Sequence, residues 1–212
     1  MRVITLMISM LLGSNALATD LTAMDKFLIT TNSFESGFVQ EVKDETGALL
    51  QKSTGRFVSR KPDNYLWVTT TPSYTELVSN GKKVWFFDKE LEQVTVQNVK
   101  NSQVAPIVLL AHNTKALLEQ FEITQAKPCD DKSICYLLKP KDDDADFSSV
   151  VLELNKESMA AHYDGKIRKI TLKDQLLNTT TIEFIKPLAN TKISDKTFNF
   201  IVPKGVDVVE NP

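Results

Sequence analysis

The side chains that could do chemistry are few, and their spacing arms none of them. His112 and His162 are the only histidines. No Gly-x-Ser-x-Gly elbow, His-Glu-x-x-His pair, glycine-rich phosphate loop or metal-ligand cluster accompanies them. Cys129 and Cys135 are the only cysteines and have five residues between them. In an exported chain such a pair reads as a disulfide bracing the turn-like Asp130-Asp131-Lys132-Ser133 stretch rather than as a metal site. The run Lys141 to Asp146, KDDDAD, lacks the glycine and the spaced glutamate of a calcium loop and reads as a solvated loop. The remaining carboxylates lie in polar loops without apolar neighbours to raise their pKa. The sequence therefore offers no catalytic residue, no metal site and no call for a cofactor, and points away from an enzyme.

What it offers instead is apolar surface. Between Gly55 and Thr95 the chain places Phe57, Tyr65, Trp67, Trp85, Phe86 and Phe87, including both tryptophans of the protein, among short strands and tight turns. Asn80-Gly81 is a hairpin signal of the two-residue type I′ kind, which needs φ > 0 at both central positions. Pro62 and Pro72 bracket the strand around Trp67. This meander is expected to form one wall of a greasy cavity, lined by Phe57, Tyr65, Trp67, Leu77, Trp85 and Phe87.

The elements that would position this wall follow from periodicity. Leu21, Met24, Phe27 and Leu28 recur at helical spacing over Asp20–Thr31, with Thr19 or Asp20 available as a cap. Alternation marks Phe34–Lys43 as a half-buried strand, and further strands follow at Tyr65–Thr71, Thr75–Ser79, Lys83–Asp88 and Leu91–Val99. Val104–Ala111, VAPIVLLA, is apolar on every side with Pro106 near its start, so as a helix it must be buried or plug something. A helical piece at Lys115–Phe121 comes next. Strands are then expected at Ile123–Ala126, Ile134–Leu138, Ser149–Leu154, Ala160–Tyr163, Lys166–Lys173 and Thr179–Lys186, with Asp164-Gly165 as a second hairpin turn. Phe198-Asn199-Phe200 alternates as a last strand before a short Val206–Val209 tail. Some ten antiparallel strands with three short helices suit an incomplete antiparallel β-barrel, a half-barrel with a helical lid over a hydrophobic cavity.

Composition bounds the rest. A chain of 212 residues with a formal net charge of −2 carries no lysine–arginine cluster, which gives nucleic acid no purchase. Arg2, the apolar run Val3–Leu12 and Ala16-Leu17-Ala18 make residues 1–18 a cleavable signal peptide, too short in its apolar run to span a bilayer. Residues 19–212 then form a single domain.

The meander also resembles a known family. Arg60-Lys61-Pro62, the Tyr65-x-Trp67 pair, Pro72, Leu77-Val78-Ser79-Asn80-Gly81-Lys82, Val84-Trp85-Phe86-Phe87 and Glu92-Gln93 are similar in type and spacing to the outer-membrane lipoprotein carrier proteins, the LolA family. Pro106–Ala111 and Phe198-x-Phe200-x-x-Pro203-x-Gly205-Val206 extend the likeness over nearly the whole chain. The resemblance implies an unclosed barrel with a lid of short helices. It also implies a soluble, monomeric periplasmic carrier that takes acylated lipoproteins from an inner-membrane ABC transporter to an outer-membrane receptor lipoprotein. No cysteine ends the signal's apolar run, which favours the soluble carrier over the lipidated receptor. By the same resemblance Tyr65 and Trp67 belong to the cavity mouth and wall, and Pro106, Ile107, Leu109 and Leu110 to the lid helix. The latch that holds the lid shut falls on Lys61, where the family usually has arginine, or on Arg60 beside it. Adjacent strand residues face opposite sides, and Lys61 is the favoured inward group. The alternative is a periplasmic lipid- or lipoprotein-sensing module of the same fold.

Overall fold

The computed structural model describes residues 21–99, 114–127, 129–156 and 167–211. The expected signal peptide, the lid residues Pro106, Ile107, Leu109 and Leu110, both histidines, the strand at Ala160–Tyr163 and the Asp164-Gly165 turn lie outside the described residues. The chain opens on helix α1 (Thr22–Thr30). Strands β1 (Ser33–Lys43), β2 (Leu49–Arg60), β3 (Asn64–Thr71), β4 (Thr75–Asn80), β5 (Lys83–Asp88) and β6 (Gln93–Asn98) follow. Helix α2 (Thr114–Gln120) leads into β7 (Phe121–Ala126), β8 (Ser133–Pro140), β9 (Phe147–Asn155), β10 (Ile167–Asp174) and β11 (Thr179–Ala189). A turn of 3-10 helix (Asp195–Phe198) and β12 (Asp207–Asn211) end it.

The twelve strands of the described residues belong to one sheet, ordered β12-β6-β5-β4-β3-β2-β1-β11-β10-β9-β8-β7. Its first and last strands are not paired, so the barrel is unclosed, as expected from the sequence. The sheet nonetheless curls. Val84 of β5 and Leu138 of β8 stand far apart in strand order, yet both belong to one buried apolar cluster. That cluster takes in Phe34, Phe38, Phe57, Tyr65, Ile170 and Phe184 from the strands, Met24, Phe27 and Leu28 from α1, and Leu117 from α2. The two helices therefore sit on the inner face, where their apolar stripes are hidden.

Two further clusters lie on the other side of the sheet. Val58, Leu66, Val68 and Val78 pack with Phe198, while Phe87, Val94 and Val96 pack with Phe200 and Val206. The segment from Ile193 to Val206 thus straps the outer face of β2–β6. A wall buried on both faces explains why Val84-Trp85-Phe86-Phe87 reads as a continuous apolar run instead of an alternation. Over β8–β11 the outer face carries charged residues, with Glu153 opposite Lys169 and Lys169 opposite Glu183, beside Leu137 and Val151.

Four local expectations are corrected. Helix α1 has Leu21 at its N-cap with no side-chain cap, in place of the expected Thr19 or Asp20, which lie outside the described residues. The Asn80-Gly81 hairpin is not a two-residue type I′ turn. Its last paired residues are Ser79 and Val84, and of the two only Gly81 has a positive φ, +80°. The Asn80 side-chain oxygen instead accepts from the amides of Lys82 and Lys83, each at 3.0 Å, so a side chain closes a wider loop. Phe198–Phe200 is not a strand, because Phe198 ends the 3-10 turn and both rings are spent covering the outer face. The valine tail does pair, but parallel to β6, which makes β12 the exception in an otherwise antiparallel sheet.

Candidate functional site

Register decides which aromatic residues share the inner face. Phe57 lies opposite Trp67, Trp67 opposite Leu77, Leu77 opposite Phe86, and Phe86 opposite Thr95. Cross-strand partners point the same way. This row therefore runs across β2–β6 on the inner face, with Tyr65 and Val84 in the neighbouring row. Exposure rises along it: Phe57 is fully buried, Trp67 and Leu77 are half-buried, and Phe86 is 42% exposed. Large apolar groups are thus left partly uncovered toward the β5 side.

Trp85 and Phe87 are not part of this wall. They occupy the opposite face with Val78, Val94 and Val96, and their rings meet Phe200 at 6.2 and 6.3 Å. The six-residue lining expected from the sequence is therefore split, with Phe57, Tyr65, Trp67 and Leu77 brought together inside and Trp85 and Phe87 outside. Alternation contained the warning. A hairpin loop with an even number of residues pairs odd positions with even ones, so Leu77 cannot share a face with Trp85 or Phe87. Phe86 is the residue that the same reasoning would have chosen.

The inner face gains a second aromatic source, which the emphasis on Gly55–Thr95 passed over. Phe38 of β1 stacks on Trp67 with ring centroids 3.8 Å apart and planes at 22°. Phe34 meets Phe57 at 6.0 Å and, edge-on, Phe184 of β11 at 5.4 Å. Gly55 makes the Phe38–Trp67 stack possible. A Cβ there would lie 1.9 Å from the Val68 carbonyl oxygen and 2.6 Å from the Phe38 ring. Only a residue without a side chain lets Phe38 lie across β2.

Arg60 and Lys61 diverge. The Lys61 ammonium donates to the Leu28 carbonyl near the C-terminal end of α1, one of the helix-end acceptors that lack an intrahelical partner. Burial pushes its pKa below the ordinary lysine value. Arg60 turns outward. Its guanidinium donates to the Ile193 carbonyl at 3.1 Å, pairs with Asp195 at 2.6 Å and lies 5.1 Å from the centre of the Phe198 ring. One of these cations holds a helix on the inner face, and the other holds the strap on the outer face.

Cys129 and Cys135 form a disulfide at the β7–β8 connection. Next to it, Glu153 accepts from Ser133 at 2.9 Å and Arg168 at 3.0 Å, and pairs with Lys169 at 2.9 Å. Arg168 also reaches Asp130 at 3.2 Å, which ties the disulfide loop to β10. Burial pushes the Glu153 carboxyl up, but the bonds from Lys169 and Ser133 and the charge of Arg168 outweigh it and leave the pKa lowered. These are bracing contacts. Among the described residues no group of three or more His, Cys, Asp or Glu could hold a metal ion, and no helix is long and apolar enough to cross a membrane.

An unclosed sheet with an apolar inner face capped by helices is what a comparison with known proteins can test. The model of the outer membrane lipoprotein carrier protein LolA matches residues 29–201. The chain belongs to the LolA family. Among curated relatives, an outer-membrane lipoprotein carrier protein of Hahella chejuensis is 29% identical over 92% of this chain and 90% of its own length. Another from Pseudomonas paraeruginosa is 32% identical over 82% of this chain and 79% of its own. The crystal structure of an uncharacterized conserved protein from Thermus thermophilus has the same fold, with a TM-score of 0.55 at 9% identity over 91% of this chain and 98% of that one. LolA-family members are carriers rather than enzymes.

Proposed function

We propose that the protein is a soluble, monomeric periplasmic carrier of lipoproteins. Residues 1–18 are its cleaved signal and residues 19–212 a single carrier domain. It receives acylated lipoproteins as an inner-membrane ABC transporter releases them, holds their acyl chains against the inner face, and hands them to an outer-membrane receptor lipoprotein. The observation that carries this reading is the graded inner row Phe57–Trp67–Leu77–Phe86, which ends in a large apolar side chain left 42% exposed in a barrel that does not close. Carrier names among its relatives support the same conclusion.

The energetics favour a site of this incomplete kind. Burying a methylene contributes about 0.8 kcal/mol, so three chains of about sixteen carbons could gain more than ~30 kcal/mol. That exceeds the ~18–21 kcal/mol at which affinities saturate, and a cargo held so tightly would never leave. A carrier must bury the chains in part, or spend binding energy displacing its own cover. Helices α1 and α2 on the inner face, with the lid residues Pro106, Ile107, Leu109 and Leu110, are that cover, and the Lys61 bond to α1 is its latch. The test is to purify the protein from periplasm and analyse what accompanies it by mass spectrometry. Acylated polypeptide bound in stoichiometric amount is the expected result. Protein that is free of lipid after mild isolation, and that fails to take up a synthetic triacylated lipopeptide, would overturn the reading.

A further inference from the structure

Two hairpin tips at one end of the sheet share one backbone hydrogen-bond pattern, and their fourth positions differ instructively. In the β1–β2 tip the Asp44 amide donates to the Ala48 carbonyl at 3.0 Å, and the Asp44 carboxylate accepts from the amides of Thr46 and Ala48, each at 2.9 Å. In the β10–β11 tip the Asp174 amide donates to the Asn178 carbonyl at 3.0 Å, and the Asp174 carboxylate accepts from Leu176 at 2.9 Å and Asn178 at 2.8 Å. The fourth residue of each tip stands in the left-handed region: Gly47 at φ +86° in one, Leu177 at φ +67° in the other. Glycine enters that region freely, whereas a bulky side chain there is strained. The turn itself does not ask for leucine, since its twin makes the same bonds with glycine.

The strained residue belongs to a patch. Leu176 and Leu177 are 77% and 47% exposed, and Leu49 and Leu50, at the start of β2, are 53% and 59% exposed. Lys43 of β1 lies opposite both Leu49 and Thr179, which sets the two tips side by side within roughly 15 Å at ordinary strand spacing. The surroundings are acidic. Residues 41–52, 141–146 and 173–178 hold eight carboxylates against four lysines, and two of those lysines, Lys43 and Lys52, are already paired with Glu41. The acidic β8–β9 loop is joined to the patch where the Gln175 side chain donates to the Ala145 carbonyl at 3.0 Å.

We propose that this four-leucine tip docks the protein onto a protein partner that presents an apolar hollow rimmed by basic side chains. The charge selects the occupant. An anionic lipid surface and a second copy of this chain would both meet the acidic rim with like charge, while a basic rim would draw it in. The inference rests on the carrier reading, under which the partner is the membrane-bound protein that loads the carrier.

The test uses the full chain and two variants, L176S/L177G and D142K/D143K/D144K. Both are expected to bind a synthetic triacylated lipopeptide within about twofold of the wild type, because neither touches the inner face. L176S/L177G should unfold at no lower temperature, since glycine relieves the left-handed position. Release of lipoproteins from spheroplasts of the source bacterium should fall about tenfold or more in both variants, and in the wild type as salt is raised. Undiminished release by L176S/L177G with lipopeptide binding intact would overturn the docking site alone. Flotation of the wild type with phosphatidylethanolamine–phosphatidylglycerol vesicles, lost in L176S/L177G, would make the occupant a lipid surface. Self-association lost in the same variant would make it a second copy. Failure of the wild type to bind the lipopeptide would overturn the carrier reading and the docking site with it.

Discussion

Replacing Lys61 by methionine tests whether one hydrogen bond governs the position of α1. The substitution keeps the apolar stem of the side chain and removes the ammonium that donates to the Leu28 carbonyl. A bond from a charged donor contributes about 1.5–3 kcal/mol. Methionine also removes a cation that is half-buried at a cost, as its lowered pKa reports, so the net loss belongs at the lower end of that range. About 1.4 kcal/mol is a factor of ten in an equilibrium, and α1 should therefore open roughly tenfold more often. The effect should be local. Hydrogen exchange followed by mass spectrometry should show faster exchange across Thr22–Thr30 while the β1–β2 amides keep their protection. Lys61→Arg retains a donor and should restore α1 protection. A second signature is pH. The folded pKa of Lys61 lies below its unfolded value of about 10.4, so between the two the unfolded chain binds the proton that the folded chain has released. Stability of the wild type should therefore rise with pH across that window relative to K61M and K61R, neither of which titrates there. Unchanged exchange of α1 in K61M would refute the reasoning, whatever the global stability does.

Three other outcomes are expected. Gly55→Ala should drive a methyl group into the Val68 carbonyl and the Phe38 ring, costing about 2–3 kcal/mol, lowering Tm by roughly 5–10 °C and changing Trp67 fluorescence. Phe86→Ala and Phe87→Ala should separate binding from stability. The first should weaken uptake of the triacylated lipopeptide with little effect on unfolding, because Phe86 faces inward and is exposed, and the second should cost about 3 kcal/mol by emptying an outer-face core position. Equal effects of the two on uptake would sink the assignment of faces. Glu153 has its pKa lowered in the fold, so its stabilising contribution is complete above the unfolded value of about 4.3 and is lost as pH falls through the folded one. Glu153→Gln should be less stable at neutral pH and show a shallower acid limb in urea titrations.

Much of the fold was legible because each inner strand carries its own signature. Phe34 and Phe38 alternate with polar residues, and Ile123, Leu138, Val150 and Leu172 fall into line across β7–β10 once the strands are paired. The candidate site was harder to read. In β3 and β5 both faces are apolar, so hydrophobicity stops distinguishing inside from outside and only register does. Trp85 and Phe87 match the inner wall in chemistry, but the chemistry is the same on both sides of β5. The turn residues misled more subtly. Asn80 satisfied the type I′ rule by composition but spends its side chain on two amides, which a rule about φ does not anticipate. Phe198 and Phe200 alternate like a strand because a strap laid along an apolar face has the same reason to alternate.

That strap explains how an apolar inner wall keeps its shape when uncovered. An apolar surface reserved for a guest contributes little to the host's own stability while it is empty, and a sheet held only by that surface would collapse onto it. In β2–β6 the outer side adds stability of its own. Val58, Leu66, Val68 and Val78 are buried under Phe198, Phe87 and Val94 under Phe200 and Val206, and Arg60 pins the strap through Ile193 and Asp195. The outer clusters hold the wall rigid, so the inner row is free to end in a half-covered leucine and an exposed phenylalanine. The two faces divide the work, and Arg60 and Lys61, one residue apart, are each committed to one of them.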